Sequence, residues 1–441
     1  MSLPPPATVE KLQAALHTKA KETPTYRFYA LYDKVYRSDV LSYAYERCRA
    51  NDGAAGVDGQ TFADIAEYGV AKWLAELAQD LKGKTYHPQA VRRVWIPKGD
   101  GKRRPLGIPT VRDRVVQMAV VLVLEPIFEA DLQPEQYAYR AGRDAHGAVQ
   151  AVQQLLDQGY TEIVDADLSG YFDGIPHTEL MKSVARRVSD RHLLHLLKMW
   201  LEAPVEETDE HGGVQRTTRN KDAGRGTPQG GVASPLLANL YMRRFVLGWK
   251  QGGHAQRLDA HIVNYADDFV ICCKPGRADE AMQVMREMME KLRLTVNEKK
   301  TRQCTIPEEP FTFLGFTFGL HHSWKTGRAY VAASPSRKKV QAICDKISQA
   351  TSRSTVWRDE EEQVGKLNGL LLGWANYFRL GYVTAAWKAV QGHACRRLRW
   401  WLRRKHQEPR GQGEHHPNMQ LFKEYGLVEL VRRVSRKPLW A

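Results

Sequence analysis

Two acidic clusters constrain this 441-residue chain more than any other feature of it. One is VDADLSGYFD (164–173) and the other YADD (265–268), and each sets an aspartate at the end or tip of an otherwise apolar, strand-like run. A buried, unpaired carboxylate is costly unless a cation or hydrogen bonds compensate it. Strands that belong in a core yet carry carboxylates therefore imply a counter-charge, and metal ions are the natural one. HIVNYADDFVICC (261–273) reads as a hairpin with Ala-Asp-Asp at its tip. If the strand before Asp167 lies beside that hairpin, Asp167 and Asp267 share two Mg²⁺ ions, the hard cation that prefers carboxylate, water and phosphate oxygens. Two such ions roughly 3.5 to 4 Å apart stabilise both the attacking and the leaving oxygen of an in-line phosphoryl transfer. A mere turn at Asp267-Asp268 would leave the first cluster unexplained.

Around these clusters the periodicity moves between helix and strand. Val9 to Ala20 and Ser38 to Arg49 carry helical spacing, and the glycine-rich NDGAAGVDGQT that follows reads as a turn. VRRVWIPK and RRPLGIPT, separated by Gly99 and Gly101, predict two short antiparallel strands with Lys98 and Arg104 flanking a projecting basic tip. Asp113 to Phe128 predicts a largely buried helix, TEIVDADL a strand, SGYFDG a turn, and HTELMKSVARRV after Pro176 a helix. The polar stretch 206–222 predicts an exposed hairpin or loop leading into GRGTPQGGVASPLLANLYM. Asp279 to Leu292 has helical period, LTVNEKKT and FTFLGFTFGL predict further strand, and from about 335 the pattern is helical.

Single cores seldom grow past roughly 250 to 300 residues, so several lobes are expected. With 65 Lys and Arg against 50 Asp and Glu, the chain carries +15 and favours a polyanionic partner. The excess is uneven: residues 331–441 hold 21 basic and 9 acidic residues. That quarter is the expected nucleic-acid grip, the alternative being a solvated basic surface. The six cysteines form no CxxC pair and read as reduced thiols, and His321-His322 and His415-His416 lack partners at metal-finger spacing. The N-terminal MSLPPPATVEK shows no charged-then-apolar leader, and the longest apolar run, Met118 to Leu124, is far short of a membrane span. A soluble protein of the bacterial cytoplasm is expected, with nucleoid association open and no membrane partner.

The motifs RRPLGIPTVRDRVVQMA, YAYRAGRDAH, VDADLSGYFD, GTPQGGVASPLLANLYM, YADD, LTVNEKKT and FTFLGF, in that order, resemble the group II intron reverse transcriptases and maturases, from GVDGQT near 56 to about 405. The resemblance implies an RNA-directed DNA polymerase. It makes Asp167 and Asp267 metal ligands, with the carbonyl of Leu168 as a further ligand and Asp268 close to the metals and the primer end, whereas Asp165 is not the match. Mn²⁺ is a substitute for Mg²⁺. Phe172 takes the place of the bulky gate beneath the incoming sugar, where an aromatic ring leaves no room for a 2′-hydroxyl. Lys98 and Arg104 match the clamp on the nucleotide triphosphate, a task for a point charge and a guanidinium fork. Gln229 and Gly230 match the turn against nucleotide and template, and Lys300 matches a proton donor to pyrophosphate, the alternative being a solvated face with Lys299.

KLNGLLLGWANYFRLGYVTAAWKAVQGHACRRLRWWLRRKH resembles the thumb and maturase segment. Arg396, Arg397, Arg399, Arg403, Arg404 and Lys405, interleaved with Trp400 and Trp401, suit phosphate contacts plus stacking. The tryptophans have a core reading as well, which is preferred for Trp374, Tyr377 and Phe378. Nothing after 410 has the spacing of the Cys/His endonuclease that many relatives carry, so target-strand cleavage is not expected.

The resulting expectation is an α+β right-hand polymerase: an N-terminal extension and fingers over 1–150, a palm with an antiparallel sheet over 151–330, a helical thumb or maturase domain over 331–410, and a basic tail over 411–441. Its partners would be an RNA template with a DNA primer, dNTPs, group II intron RNA and target DNA, in an oligomeric state the sequence does not give. Two rivals stand beside this reading: a reverse transcriptase domesticated for phage defence or CRISPR spacer acquisition, and a non-catalytic RNA-binding splicing cofactor.

Overall fold

The computed structural model describes residues 3–97, 103–209, 213–323, 326–407 and 416–431. Among them the strands are β1 (Val91–Pro97), β2 (Arg103–Ile108), β3 (Glu162–Asp167), β4 (Val205–Thr208), β5 (Val214–Thr217) and β6 (Ala260–Tyr265), followed by β7 (Asp268–Cys273), β8 (Arg302–Thr305), β9 (Phe311–Phe313), β10 (Phe316–His322) and β11 (Ala329–Pro335). They form three sheets, ordered β2-β1-β4-β5, β6-β7-β3-β8 and β11-β10-β9, among long helices, so the class is α+β.

The predicted basic hairpin is present. β1 and β2 run antiparallel from Arg92 opposite Ile108 to Pro97 opposite Arg103. Lys98, Gly99 and Gly101 lie outside the described residues. The polar stretch after 205 forms the antiparallel pair β4 and β5, with β4 parallel to β1, and then a short helix, Arg219–Ala223. FTFLGFTFGL becomes β9 and β10, joined by Leu314 (φ 51°) and Gly315 (φ 83°), the pair of left-handed residues that a two-residue hairpin turn demands.

One expectation needs correcting. LTVNEKKT is not a strand: only Val296 bridges, to Leu168, and the chain then turns, with the N–H groups of Lys300 and Thr301 donating to the Asn297 carbonyl at 3.0 and 2.8 Å. The polar run NEKK has no apolar alternation to bury, and Asn297 instead faces a carboxylate described below.

The chain divides into two compact units, Met1–Asp144 with Ala166–Phe269 and Asp279–Thr301, and Ala145–Asp165 with Val270–Ala278 and Arg302–Ala441. In the first unit the helix Val111–Glu129 is buried over most of its surface, and Val115, Val116, Ala119, Val120, Val123, Leu124 and Ile127 are fully buried, as its long apolar run requires. Thr110 starts it by accepting the Asp113 N–H at 3.1 Å. In the second unit the helices Arg337–Ala350, Glu360–Tyr377 and Thr384–Lys405 share a core in which Leu367, Leu371, Val390, Leu398, Trp401 and Leu402 have no exposed surface. Asp359 caps the middle helix, accepting the Glu361 N–H at 2.9 Å, and three glutamates in the first turn complement its dipole. Phe378 is buried, Trp374 partly so, and Tyr377 is 38% exposed with its hydroxyl donating to the Leu314 carbonyl at 3.0 Å. Among the described residues no helix is long and apolar enough to cross a membrane.

Candidate active site

Asp167 closes β3, and β7, which opens with Asp268, is its neighbour in the sheet. Between β6 and β7 the turn is only Ala266-Asp267, with Ala266 at φ 58°, a conformation rare for a residue with a side chain. Asn264, fully buried, holds the turn by donating its amide to the Ala266 carbonyl at 2.9 Å. The result is a cleft of about 320 Å³ within the first unit, lined by Arg103, Arg104, Asp167, Leu168, Gln229, Asp267, Asn297 and Lys300 among others. Two carboxylates one hundred residues apart in sequence thus share one wall system with two exposed arginines at the start of β2.

Asp167 is held from several sides. Its carbonyl accepts the Asn297 N–H at 2.8 Å, its Oδ2 accepts the Asn297 amide at 2.8 Å, and Lys300 Nζ lies 3.3 and 3.2 Å from its two oxygens. This ion pair is largely exposed, with the lysine side chain 52% accessible. Such a pair contributes roughly 0 to 1 kcal/mol, so Asp167 would give up the ammonium to a divalent cation at little cost. Asp165, two residues earlier, faces Arg302 at 3.3 Å instead, within the second unit.

Gln229 lines the cleft, and Gly230, which is not among the lining residues, packs beside it through a close backbone contact. The Gly107 N–H donates to the Gln229 carbonyl at 2.5 Å, and a Cβ on Gly230 (φ 109°) would stand 2.2 Å from the Gly107 carbonyl oxygen. Only glycine fits there. Phe172 is 9% exposed, packs edge-on against Tyr171 with ring centres 5.7 Å apart, and its carbonyl accepts the Thr227 N–H at 2.8 Å. Its neighbours Tyr171 and Asp173 line the cleft, whereas Phe172 is not among the lining residues, and neither is the exposed Asp268. Lys98 lies outside the described residues.

Sequence reasoning overlooked three residues here. Arg103 adjoins the selected Arg104, and Asn297 stands three places before Lys300, a spacing that could have flagged it. Tyr139 carries a stronger signal in the structure. It has φ 54° and is 52% exposed, and its phenol is pushed up by burial, with the carboxylates of Asp267 and Asp268 adding to the shift and Arg104 opposing it. Buried amides fix its segment: Gln136 donates to the Asn239 carbonyl at 2.9 Å, and Asn239 to the Ala138 carbonyl at 2.6 Å.

The basic helix of the second unit divides its cations. Arg397 donates to Thr351 Oγ1 and to the Ser348 and Thr351 carbonyls at 2.9 to 3.0 Å, Arg399 to the His416 carbonyl at 2.8 Å and to Asn418, and Lys405 to the Arg358 carbonyl at 2.6 Å. Arg396 and Arg404 are exposed, and Arg403 is half-buried. Trp400 lies between the guanidinium groups of Arg397 and Arg404, 4.6 and 4.3 Å from its ring centre, while Trp401 is fully buried and donates to Thr355 Oγ1 at 3.2 Å.

Comparison with known proteins places this geometry in a family. Residues 96–318 match the reverse transcriptase (RNA-dependent DNA polymerase) family, and residues 340–418 match the group II intron maturase-specific domain. Protein YkfC of Escherichia coli (strain K12) is 34% identical, over 70% of this chain and 87% of its own length. The group II intron-encoded protein LtrA of Lactococcus lactis subsp. cremoris is 28% identical over 67% of this chain, which spans 57% of it. The nuclear intron maturase 2, mitochondrial, of Arabidopsis thaliana is 31% identical over 25% of this chain and 15% of its own. Reverse transcriptases generally use a divalent metal, and the all-oxygen donors of Asp167 and Asp267 beside exposed arginines suit one. The chain belongs to the reverse transcriptase family, with the right-hand polymerase fold and RNA-directed DNA polymerase chemistry of that family and a group II intron maturase domain following it.

Proposed function

We propose that this protein extends a DNA primer on an RNA template from dNTPs, with Asp167 and Asp267 as the metal-holding carboxylates, the Leu168 carbonyl as a further ligand and Asp268 beside the primer end. The single observation that carries the reading is the convergence of Asp167 and Asp267, with Arg104 and Gln229, on one cleft. The ligands we assign are these two carboxylates and the Leu168 main-chain oxygen, with Asp268 close to the metals. Two Mg²⁺ ions, or Mn²⁺ in their place, would supply charge stabilisation to the attacking and leaving oxygens. The primer 3′-oxygen bonds to the α-phosphorus as the bond from that phosphorus to the bridging oxygen of pyrophosphate breaks.

The residues divide that work. Arg104 and Lys98 clamp the triphosphate, Gln229 and Gly230 present the turn that nucleotide and template pack on, and Phe172 bars the 2′-hydroxyl. Lys300, lining the same cleft, gives pyrophosphate its proton. We assign residues 1–150 to the N-terminal extension and fingers, 151–330 to the palm, 331–410 to the thumb and maturase domain and 411–441 to a basic tail. The maturase region would hold group II intron RNA for splicing and mobility into target DNA in the cytoplasm, with the exposed Arg396 and Arg404 and the half-buried Arg403 as its basic surface, while Arg397, Arg399 and Lys405 are directed at acceptors of their own unit. The deciding experiment is primer extension by purified protein on an RNA template, with Mg²⁺ or Mn²⁺, alongside sequencing of the RNA that copurifies. Wild-type extension that Asp267→Ala abolishes supports the reading, and extension unaffected by that change overturns the site.

A further inference from the structure

Asn297 takes part in none of the steps above, yet it meets Asp167 twice. Its side-chain amide donates to Oδ2 and its main-chain N–H to the Asp167 carbonyl, both at 2.8 Å. An ionised carboxylate only accepts hydrogen bonds, so the nitrogen of the amide is the atom that faces it. A short ladder holds the amide there. The Ser169 N–H donates to the Thr295 carbonyl at 2.9 Å, and between that bond and the one from Asn297 the chain bridges Leu168 to Val296. Leu168 and Val296 are therefore the non-hydrogen-bonded pair of an antiparallel ladder, which directs the Leu168 carbonyl away from Val296. Beyond the ladder the Asn297 carbonyl accepts the N–H groups of Lys300 and Thr301, and Thr301 Oγ1 accepts the Asp167 N–H at 3.3 Å.

Asn297 and Lys300 hold the same carboxylate by different physics. The last torsion of an aspartate is broad, so a carboxylate at the end of a strand has no fixed plane unless a neighbour sets one. The half-buried Asn297 sets it with one directed bond and brings no charge. Each carboxylate oxygen has two lone pairs, so Oδ2 can keep the amide and still face a cation. Lys300 is a point charge on a flexible, largely exposed arm, 3.3 and 3.2 Å from the two oxygens. It competes with any other cation for the same negative charge.

Building on the reading of Asp167 as a metal-holding carboxylate, we propose that Asn297 is a positioning residue for it, fixing the plane in which Asp167 meets a divalent cation, and that Lys300 is the exchangeable partner. Losing its place at Asp167 leaves the Lys300 ammonium free to turn to pyrophosphate. Hydrogen-bond partners of ligating carboxylates carry much of a site's affinity, and a change at one commonly costs about 10- to 100-fold. The two side chains should therefore act on metal binding with opposite sign.

The test is titration of the full chain with Mn²⁺ alone, without nucleic acid or nucleotide, the free ion being followed by electron paramagnetic resonance. Asn297→Ala should weaken Mn²⁺ binding about 10-fold, and raise the Mg²⁺ concentration for half-maximal primer extension by a similar factor. Its thermal melt should stay close to wild type, because the main-chain bonds of the ladder survive the change. Lys300→Ala should instead tighten Mn²⁺ binding, by up to about 5-fold for so exposed a pair. Asn297→Ser suits the same turn but is too short to hold Oδ2, and it repeats the comparison should the alanine variant fail to fold. Unchanged Mn²⁺ affinity in a folded Asn297 variant, a melt that falls in step with the affinity, or weaker binding in Lys300→Ala overturns the assignment. Asp167→Ala separates this inference from the reading beneath it. If that variant binds Mn²⁺ as wild type does, Asp167 is not a ligand and the metal site is misplaced; if it loses the ion while Asn297→Ala keeps it, the site stands and the role of Asn297 falls.

Discussion

The cleft of the first unit and the helical core of the second both gather basic side chains, and they use them in opposite ways. In the cleft Arg103 and Arg104 stand exposed beside Asp167 and Asp267, without side-chain hydrogen bonds to other described residues. In the helix Thr384–Lys405 the donors of Arg397, Arg399 and Lys405 are directed at carbonyls and side chains of their own unit. A count of charges treats the two regions alike. Tracing each donor to its acceptor does not: the first region keeps its charge for a ligand, and the second uses much of it to tie its helices together.

The largest effect expected from this contrast is at the carboxylates. Asp167→Ala or Asp267→Ala should lower primer extension by about 10³-fold or more, roughly 4 kcal/mol of transition-state stabilisation. Template affinity should hold, since neither side chain is a cation. Filter binding and single-turnover extension on the same preparations check both, and a joint fall in binding and rate would erase the distinction between the two regions.

Within the cleft, Phe172→Val should raise ribonucleotide incorporation about 10 to 100-fold relative to dNTPs, a change of about 1.4 to 2.7 kcal/mol in discrimination. An unchanged ratio in a folded, active variant removes Phe172 from the gate and directs attention to Tyr171 or Tyr139.

The helical region should respond in two ways. Neutralising the exposed Arg396 and Arg404 to Gln should flatten the salt dependence of RNA binding by roughly 1.4 to 1.8 units. Arg397→Gln should leave that slope nearly intact and destabilise the fold by about 1 to 3 kcal/mol, because three acceptors lose a charged donor. Thermal melts and salt titrations on the two variants sharpen the comparison, and a reversed pattern breaks it.

The smallest effect concerns a carboxylate that binds no ligand. Asp190 accepts the N–H groups of Leu31, Tyr32, His192 and Leu193 at 2.8 to 3.2 Å. Burial pulls its carboxyl upward, these four donors outweigh the burial, and the net value is below the ordinary one. A lowered folded value means that stability is fully present above the unfolded carboxylate pKa and is lost as pH falls through the folded one. Asp190→Asn should therefore cost about 1 to 2 kcal/mol at neutral pH. That difference should shrink below about pH 4, whereas activity at saturating substrate stays close to wild type.

Much of the cleft was legible in the sequence because Asp167 and Asp267 stand at the end or tip of apolar strands that would otherwise want no charge, and so conflict with their own surroundings. The hairpin of β1 and β2 and the buried helix Val111–Glu129 were legible for the converse reason: alternation and continuous apolarity are local. Asn297 was not, because its partner is 130 residues away and the surrounding NEKK has no period to betray a turn. Nor was the division among Arg396, Arg397 and Arg399: adjacent arginines on a helix look identical until the next helix supplies the carbonyls of Ser348 and Thr351.

That distance also has a meaning during synthesis. β3 and its terminal carboxylate leave the ribosome well before the segment bearing Asn297 and Lys300, and before β8, whose Arg302–Thr305 pair with Glu162–Asp165. At about 5 to 20 residues per second, 130 residues take roughly 7 to 26 seconds. β7, its neighbour on the other side, also lies downstream, so for most of that interval the nascent chain carries β3 with both sides unpaired, apolar edges of the kind that invite mispairing. A ribosome stalled before Thr301 would therefore display a folded N-terminal helical region attached to an incomplete sheet, and such a nascent chain should be a substrate for chaperones that recognise exposed strands.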